Sequence, residues 1–292
     1  GETLVPMTVG FVAVVVNCVF NYLLIFGKFG MPKMGVEGAA IATVISKCIQ
    51  TIVKVVWTHT HLDMNKYAQG LFKGFYIQPK LFGNIIKRGF PLLMNEFLWV
   101  AGMSLIMQCY SVRGLDVIAA RNISTTITNL FNEVYIQTGA CIAIIVGGKL
   151  GANKLEEARD TDNKLLFLSA AAAAGVSIIM LPFAAFFPDI YNTEQNIKDI
   201  AGFMILIQAL AMPIWAYVNA CYFTLRSGGK TGITFMFDLG FVWLFMLPLA
   251  FILSRFTSLS IYFLFPIVTF SEIIKAVIGY FLVRSNLWIN NI

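Results

Sequence analysis

Three acidic side chains stand where an apolar chain has little use for them. Glu96 lies inside GFPLLMNEFLWVAGM (residues 89–103), beside the amide of Asn95 and shortly after Pro91. Glu133 belongs to a polar series, Asn122, Thr126, Asn129, Glu133 and Gln137. Steps of three and four residues put all five on one helix face. Asp238 sits near the start of a later apolar run, with Thr231 and Thr234 on its face. A carboxylate taken out of water has to accept a proton, a cation or hydrogen-bond donors instead. A charge at the centre of a bilayer costs about 2.5–3.5 kcal/mol on insertion scales, so such a residue usually has a partner or a task.

Glu96 has no Lys or Arg within a helical turn, the nearest being Lys87 and Arg88. Pro91 removes a backbone hydrogen bond and is expected to kink the helix, leaving a carbonyl oxygen free nearby. Glu96 is therefore the first candidate for binding a coupling cation or a cationic ligand, with Asn95 beside it. The polar series (Thr126, Asn129, Glu133, Gln137) supplies neutral oxygens and a second acid, and it must face a partner helix or a wet cavity rather than lipid. Asp238 is a third candidate. Met94, Trp99, Met103, Tyr135 and Tyr217 offer adaptable apolar contact for a ligand. Other charges have simpler readings. Glu272 and Lys275 are spaced to neutralise each other on one helix. Lys47 and Lys54 can snorkel, and Lys198 and Asp199 fall at an interface.

Composition places these residues in a membrane. Hydrophobic residues make up 58% of the 292 and charged residues 12%, and mean hydropathy is +0.77. A soluble domain carries about 25% charged residues. Five cysteines lie in apolar runs without metal-like or disulfide-like spacing. The net charge of +6 is spread over many loops with no basic–aromatic cluster, so nucleic acid is not an expected partner. An intramembrane enzyme is also excluded: the expected spans contain no histidine, no HExxH and no GxGD-like pair. His59 and His61 form an HTH in a loop, without further metal ligands. No cofactor is expected, and no metal beyond a Na⁺ at Glu96.

Roughly 20 mostly apolar residues cross a bilayer. Eight stretches qualify: 4–26, 36–57, 88–112, 116–148, 164–187, 197–225, 231–255 and 259–283. The fold class is all-α, a polytopic membrane protein. Twelve of the 21 Lys and Arg fall on one side: Lys66, Lys73, Lys80, Lys87, Arg88, Lys149, Lys154, Arg159, Lys164, Arg226, Lys230 and Arg284, while Lys47, Lys54, Arg121 and Lys275 lie inside spans or near their ends. Only Lys28, Lys33, Arg113, Lys198 and Arg255 fall on the other. The richer side is expected in the cytoplasm, with both ends of the chain there. Gly1-Glu2-Thr3 and Gly229-Lys230-Thr231 each precede an apolar helix, and Thr43 and Thr269 follow at matching places in the next one. This weak repeat divides the chain into residues 1–57, closing one bundle, a linker at 58–87, and a complete six-helix bundle at 88–292. Parallel repeats of this kind are a transporter design with sites near the midplane. The chain opens on Gly1 with no cleavage pattern and reads as a segment of something longer.

The run NYLLIFGKFGMPKMGVEGAAIATVISK at 21–47 resembles a hallmark of the multidrug and toxin extrusion (MATE) transporters. GFPLLMNE at 89–96, IIVGGKLGANKLEEA at 144–158 and LRSGGKT at 225–231 extend the resemblance over essentially the whole chain. It implies the fifth to twelfth of twelve helices: the last two of an N-terminal lobe and a complete C-terminal lobe. It further implies efflux of bulky, often cationic, drug-like compounds from a plasma membrane, by a monomer coupled to Na⁺ or H⁺. Glu96 falls where many members carry a cation- or substrate-binding acid on the seventh helix, and Asp238 is the less secure counterpart. The first-helix acid of the family has no position here. The alternative is a lipid-linked saccharide flippase of the same superfamily, which would favour a basic cavity.

Overall fold

The computed structural model describes residues 4–66, 70, 79–229, 231–285 and 287–289, with the side chains of Asn84, Arg88, Pro91, Leu92 and Thr231 outside the description. Two compact units emerge, Gly1–Gly83 and Asn84–Ile292. Helices account for nearly all of the described residues, and there is no strand among them. In hydrocarbon a backbone amide finds no water, so each segment must satisfy its own hydrogen bonds. Among the described residues seven helical stretches are long and apolar enough to cross a membrane. The chain is a multi-pass membrane protein.

The first unit is a helical hairpin, α1 (Leu4–Phe26) and α2 (Val36–Thr60). Gly38, Ala42 and Ser46 repeat every fourth residue on α2 and are its buried positions. At Gly38 the backbones approach so closely that a Cβ would lie 2.8 Å from the carbonyl of Leu24. Small residues at this spacing let membrane helices touch, and a polar contact locks the register. Here Asn17 Nδ2 donates to Thr43 Oγ1 and Ser46 Oγ at 3.4 Å. The intervening turn needs left-handed backbone at Gly27 and Gly30, with φ of 66° and 81°. The two histidines are not a loop pair. His59 lies in the last turn of α2, and His61 caps it with its ring stacked on Trp57. Linker residues 67–69 and 71–78 lie outside the description.

The second unit begins within α3 (Pro79–Ser111), which starts well before the expected span at 88. The kink expected at Pro91 concerns a side chain outside the description, and the backbone is helical on both sides of that position. Then come α4 (Leu115–Gly151), α5 (Leu155–Met180), the single turn α6 (Phe183–Phe186) and α7 (Gln195–Ser227). Helix α7 is the hub: 56% of its apolar stretch is buried, against 17% for α4. It packs on α4, α5 and α11. Each contact carries a hydrogen bond or a glycine. Ser177 donates to the Ala209 carbonyl at 2.5 Å, and Thr224 donates to Asp162 Oδ1 at 2.6 Å. Gly139 of α4 lies against Asn219 and Phe223, leaving no room for a side chain.

The last two spans are irregular. Residues 231–255 start as α8 (Thr231–Phe235) and end as α9 (Leu247–Arg255). Between them are two π-helical turns, Met236–Gly240 and Val242–Met246. The final span is broken at Ser271 into α10 (Ile261–Phe270), with Pro266 inside it, and α11 (Glu272–Arg284). Single π turns and breaks of this kind concentrate at functional sites because they re-aim side chains.

Gly38→Ala should lower the stability of the detergent-solubilised protein by about 1–3 kcal/mol, because the added methyl meets backbone. Gly10→Ala, with open space around it, should be neutral or stabilise by up to about 1 kcal/mol. Thermal unfolding of the two variants side by side checks the contrast.

Candidate functional site

A cavity of about 960 Å³ opens within the second unit. Its walls come from α3, α4 and α7, from the π-helical segment, and from both sides of the Ser271 break. That volume suits a drug-sized organic molecule. Two tethers hold α3 in place. The indole of Trp243 donates to the Leu98 carbonyl at 3.1 Å, and Arg113 donates to the carbonyls of Leu253 (3.1 Å) and Thr257 (2.5 Å). Gly102 lets the π segment approach, since a Cβ there would lie 2.8 Å from Val242 Cγ1. These contacts fix the turn of α3 that carries Glu96.

The structure gathers some of the expected site residues and leaves others aside. Glu96, Asn129, Glu133 and Asp238 all line the cavity. Gln137 does not, but its Nε2 donates to Glu133 Oε2 at 3.2 Å. Thr126 is exposed and returns its hydroxyl to the Asn122 carbonyl at 2.9 Å, as Ser and Thr often do within helices. Asn95 is buried outside the cavity lining. Trp99, Met103 and Tyr135 line the cavity, Met94 does not, and Tyr217 faces a different one.

The pairing expected between Glu272 and Lys275 is not what forms. Lys275 Nζ instead bonds Asp238 Oδ1 at 2.9 Å, across two helices, with side chains only 6% and 15% exposed. Its ammonium also lies 5.4 Å from the Phe237 ring centroid and 5.9 Å from that of Phe241. The break at Ser271 and the π turn at Met236–Gly240 bring the two charges together. Three acids therefore face the cavity with no ion pair among the described residues: Glu96, Glu133 and Glu272. No three acidic, His or Cys side chains converge as a metal site among the described residues. A cation at Glu96 would have to complete its shell with amide, hydroxyl, carbonyl or water oxygens.

Sequence reasoning passed over several lining residues. Arg121, a charge within a span, lines the cavity and lies 5.3 Å from the Phe265 ring centroid. Among the described residues, Arg121 Nη1, Asn132 Oδ1 and Asn219 Oδ1 are buried without hydrogen-bond partners, on residues that line the cavity. Native interiors rarely leave such atoms unmatched, and Asn219 Oδ1 is the atom packed against Gly139 of α4. Asn132 lies next to the polar series and Asn219 inside an apolar helix; an intramembrane amide was the available signal for both.

The MatE family model matches residues 91–252. The probable multidrug resistance protein NorM of Thermotoga maritima is 25% identical over 263 residues, covering 89% of this chain and 55% of that protein. NorM of Bacillus cereus is 27% identical over 263 residues, covering 88% and 57%. The chain thus spans little more than half the length of these relatives. Among solved structures, a MATE in the straight conformation matches with TM-score 0.80 at 16% identity, over 96% of this chain and 62% of that one. The MATE transporter ClbM in complex with Rb⁺ matches with TM-score 0.74 at 14% identity, over 97% and 62%.

Lys275→Met should destabilise the protein by roughly 3–5 kcal/mol, because it strands a nearly buried carboxylate. Adding Asp238→Asn should restore most of that loss, which neither exposed nor unpaired groups would do. A double-mutant cycle read by thermal unfolding in detergent measures the coupling.

Proposed function

The chain belongs to the MatE family and shares the fold of its solved transporters, and on that premise we propose that it is part of a cation-coupled multidrug antiporter. The family is one of transporters, not enzymes. Residues 88–292 are the six-helix C-terminal lobe of that antiporter. Residues 1–57 are the last two helices of the N-terminal lobe, and 58–87 is the cytoplasmic linker. The protein sits in the plasma membrane with both ends of this chain in the cytoplasm, and works as a monomer.

The observation that carries this reading is the asymmetry of the cavity acids. Asp238 is already neutralised by Lys275, whereas Glu96 is exposed on the cavity wall without an ion pair among the described residues. Glu96 is the site at which an external Na⁺ or H⁺ and an organic cation exclude each other. Glu133, with Gln137 bonded to it, and Asn129 supply further oxygens on the facing helix. Trp99, Met103 and Tyr135 give apolar contact that tolerates many ligand shapes. Entry of the small cation discharges Glu96 and weakens its hold on the drug. Export then follows if ion and drug favour opposite inward- and outward-facing states. The Rb⁺ complex of the similar fold in ClbM supports cation binding as a property of such a scaffold.

A lipid-linked saccharide flippase is disfavoured by the charges. Glu96, Glu133, Asp238 and Glu272 outnumber Arg121, Arg226 and Lys275 around the cavity, a poor field for a pyrophosphate.

Everted vesicles carrying the full-length protein should accumulate an organic cation such as ethidium, and the accumulation should collapse when the Na⁺ or proton gradient is dissipated. Glu96→Gln should remove the gradient-dependent part while leaving protein levels unchanged. Unaltered, still ion-dependent uptake in that variant would remove Glu96 from the mechanism. Translocation of lipid-linked saccharide without drug uptake would replace antiport with the flippase.

A further inference from the structure

A second cavity, of about 420 Å³, lies away from the acidic one, where the start of α5 meets the end of α11. Its polar groups are Arg159, Asn163, Tyr217, Tyr280 and Arg284, and its floor includes Leu166 and Trp288. The floor is firmly built. Trp288 is 1% exposed and its indole donates to the Val283 carbonyl at 2.9 Å. Gly228, at the end of α7, lets the Trp288 backbone lie directly against it.

The charges around this cavity are divided unevenly. Lys149 and Lys154 are paired with Glu157, and Lys164 is paired with Asp160. Asp162 is buried and accepts from Thr224. Neither Arg159 nor Arg284 forms an ion pair among the described residues. Of the nearby acids, Glu157 and Asp160 are committed to lysines and Asp162 to the helix interface, while Glu156, three residues before Arg159, forms no ion pair among the described residues. Arg284 is held by its own helix: Nη1 donates to the Tyr280 hydroxyl at 2.6 Å, and the guanidinium lies 5.7 Å from that ring centroid. Two arginines on different helices, with a tyrosine hydroxyl and an amide, make a set of hydrogen-bonding groups for a phosphate.

The surroundings specify what carries the phosphate. Phe167, in the cavity wall, is 77% exposed, so one wall of the cavity is also outer apolar surface; Phe281, outside the lining but packed on the Tyr280 ring, is 64% exposed. A soluble anion would gain nothing from that surface, whereas an acyl chain would cover it. The end of the helices that carries Arg159 and Arg284 is also the one that the Lys/Arg distribution assigns to the cytoplasmic leaflet, where anionic lipids attract basic groups. We propose that this cavity binds the phosphodiester headgroup of an anionic phospholipid, with Arg159 and Arg284 on the phosphate and an acyl chain along Phe167 and Phe281. The site is separate from the transport cavity and does not depend on the coupling ion.

Native mass spectrometry of the full-length protein, given equal amounts of phosphatidylglycerol and phosphatidylcholine, tests this. The unmodified protein should retain phosphatidylglycerol preferentially. Arg159→Ala with Arg284→Ala should weaken its retention roughly twenty-fivefold, about fivefold for each basic residue. Arg255→Ala, at the opposite end, should leave it unchanged. Lysine at both positions should restore part of the retention, which separates loss of charge from loss of fold. Millimolar inorganic phosphate should displace little of the lipid. Equal retention of the two lipids by the unmodified protein would overturn the proposal, and so would an unchanged preference in the double variant. Full displacement by inorganic phosphate would make this a soluble-anion site and equally overturn the lipid assignment.

Discussion

Without water to solvate it, every charge inside the hydrocarbon must be paired or must face a cavity, and this constraint organises the second unit. The Asp238–Lys275 pair is its clearest product. Where the two spans depart from regular helix, the charges meet at 2.9 Å and neutralise each other. The π turn carries the acid, and the break at Ser271 precedes the lysine. Irregular backbone is tolerated at membrane depth where it lines a cavity or is buried in protein. Both departures border the same cavity, which is how satisfying one ion pair also shapes a binding site.

The remaining architecture holds that site still. Helix α7 is buried on several sides and is joined to α5 through Ser177–Ala209 and Thr224–Asp162. Helix α3 is tied by Trp243 and Arg113 at separate turns. Glu96 therefore stands on a braced helix, not on a loop. A carboxylate so placed can discriminate between ligands by charge, because its surroundings do not collapse onto it.

Much of this was legible in the sequence, and the reason is contrast. A carboxylate or amide in an apolar run stands out, so Glu96, the Asn129–Glu133–Gln137 series and Asp238 could be singled out from residue type and spacing. The helical class followed from the apolar stretches, and seven of the eight expected spans recur as long apolar helices among the described residues; the eighth, at 88–112, lies within α3. What could not be read was which residues meet. Lys275 has Glu272 three positions before it, so local spacing favoured that pair, yet its partner lies 37 residues away on another span. Helical periodicity also assumes regular helix, so it could not anticipate the π turns or the break at Ser271. Tyr217 shows the same limit: its aromatic character was visible, but its cavity depends on the facing of α7 against α5 and α11.

We propose that a small cation and an organic cation exclude each other at Glu96. The most direct measurement is equilibrium binding of a fluorescent organic cation to the purified full-length protein, titrated with Na⁺ at constant ionic strength and separately with H⁺. The account predicts that one of these ions raises the apparent Kd of the unmodified protein in proportion to its concentration, and that Glu96→Gln abolishes that dependence. An apparent Kd indifferent to both ions, or one that responds equally in the Glu96→Gln variant, would contradict it.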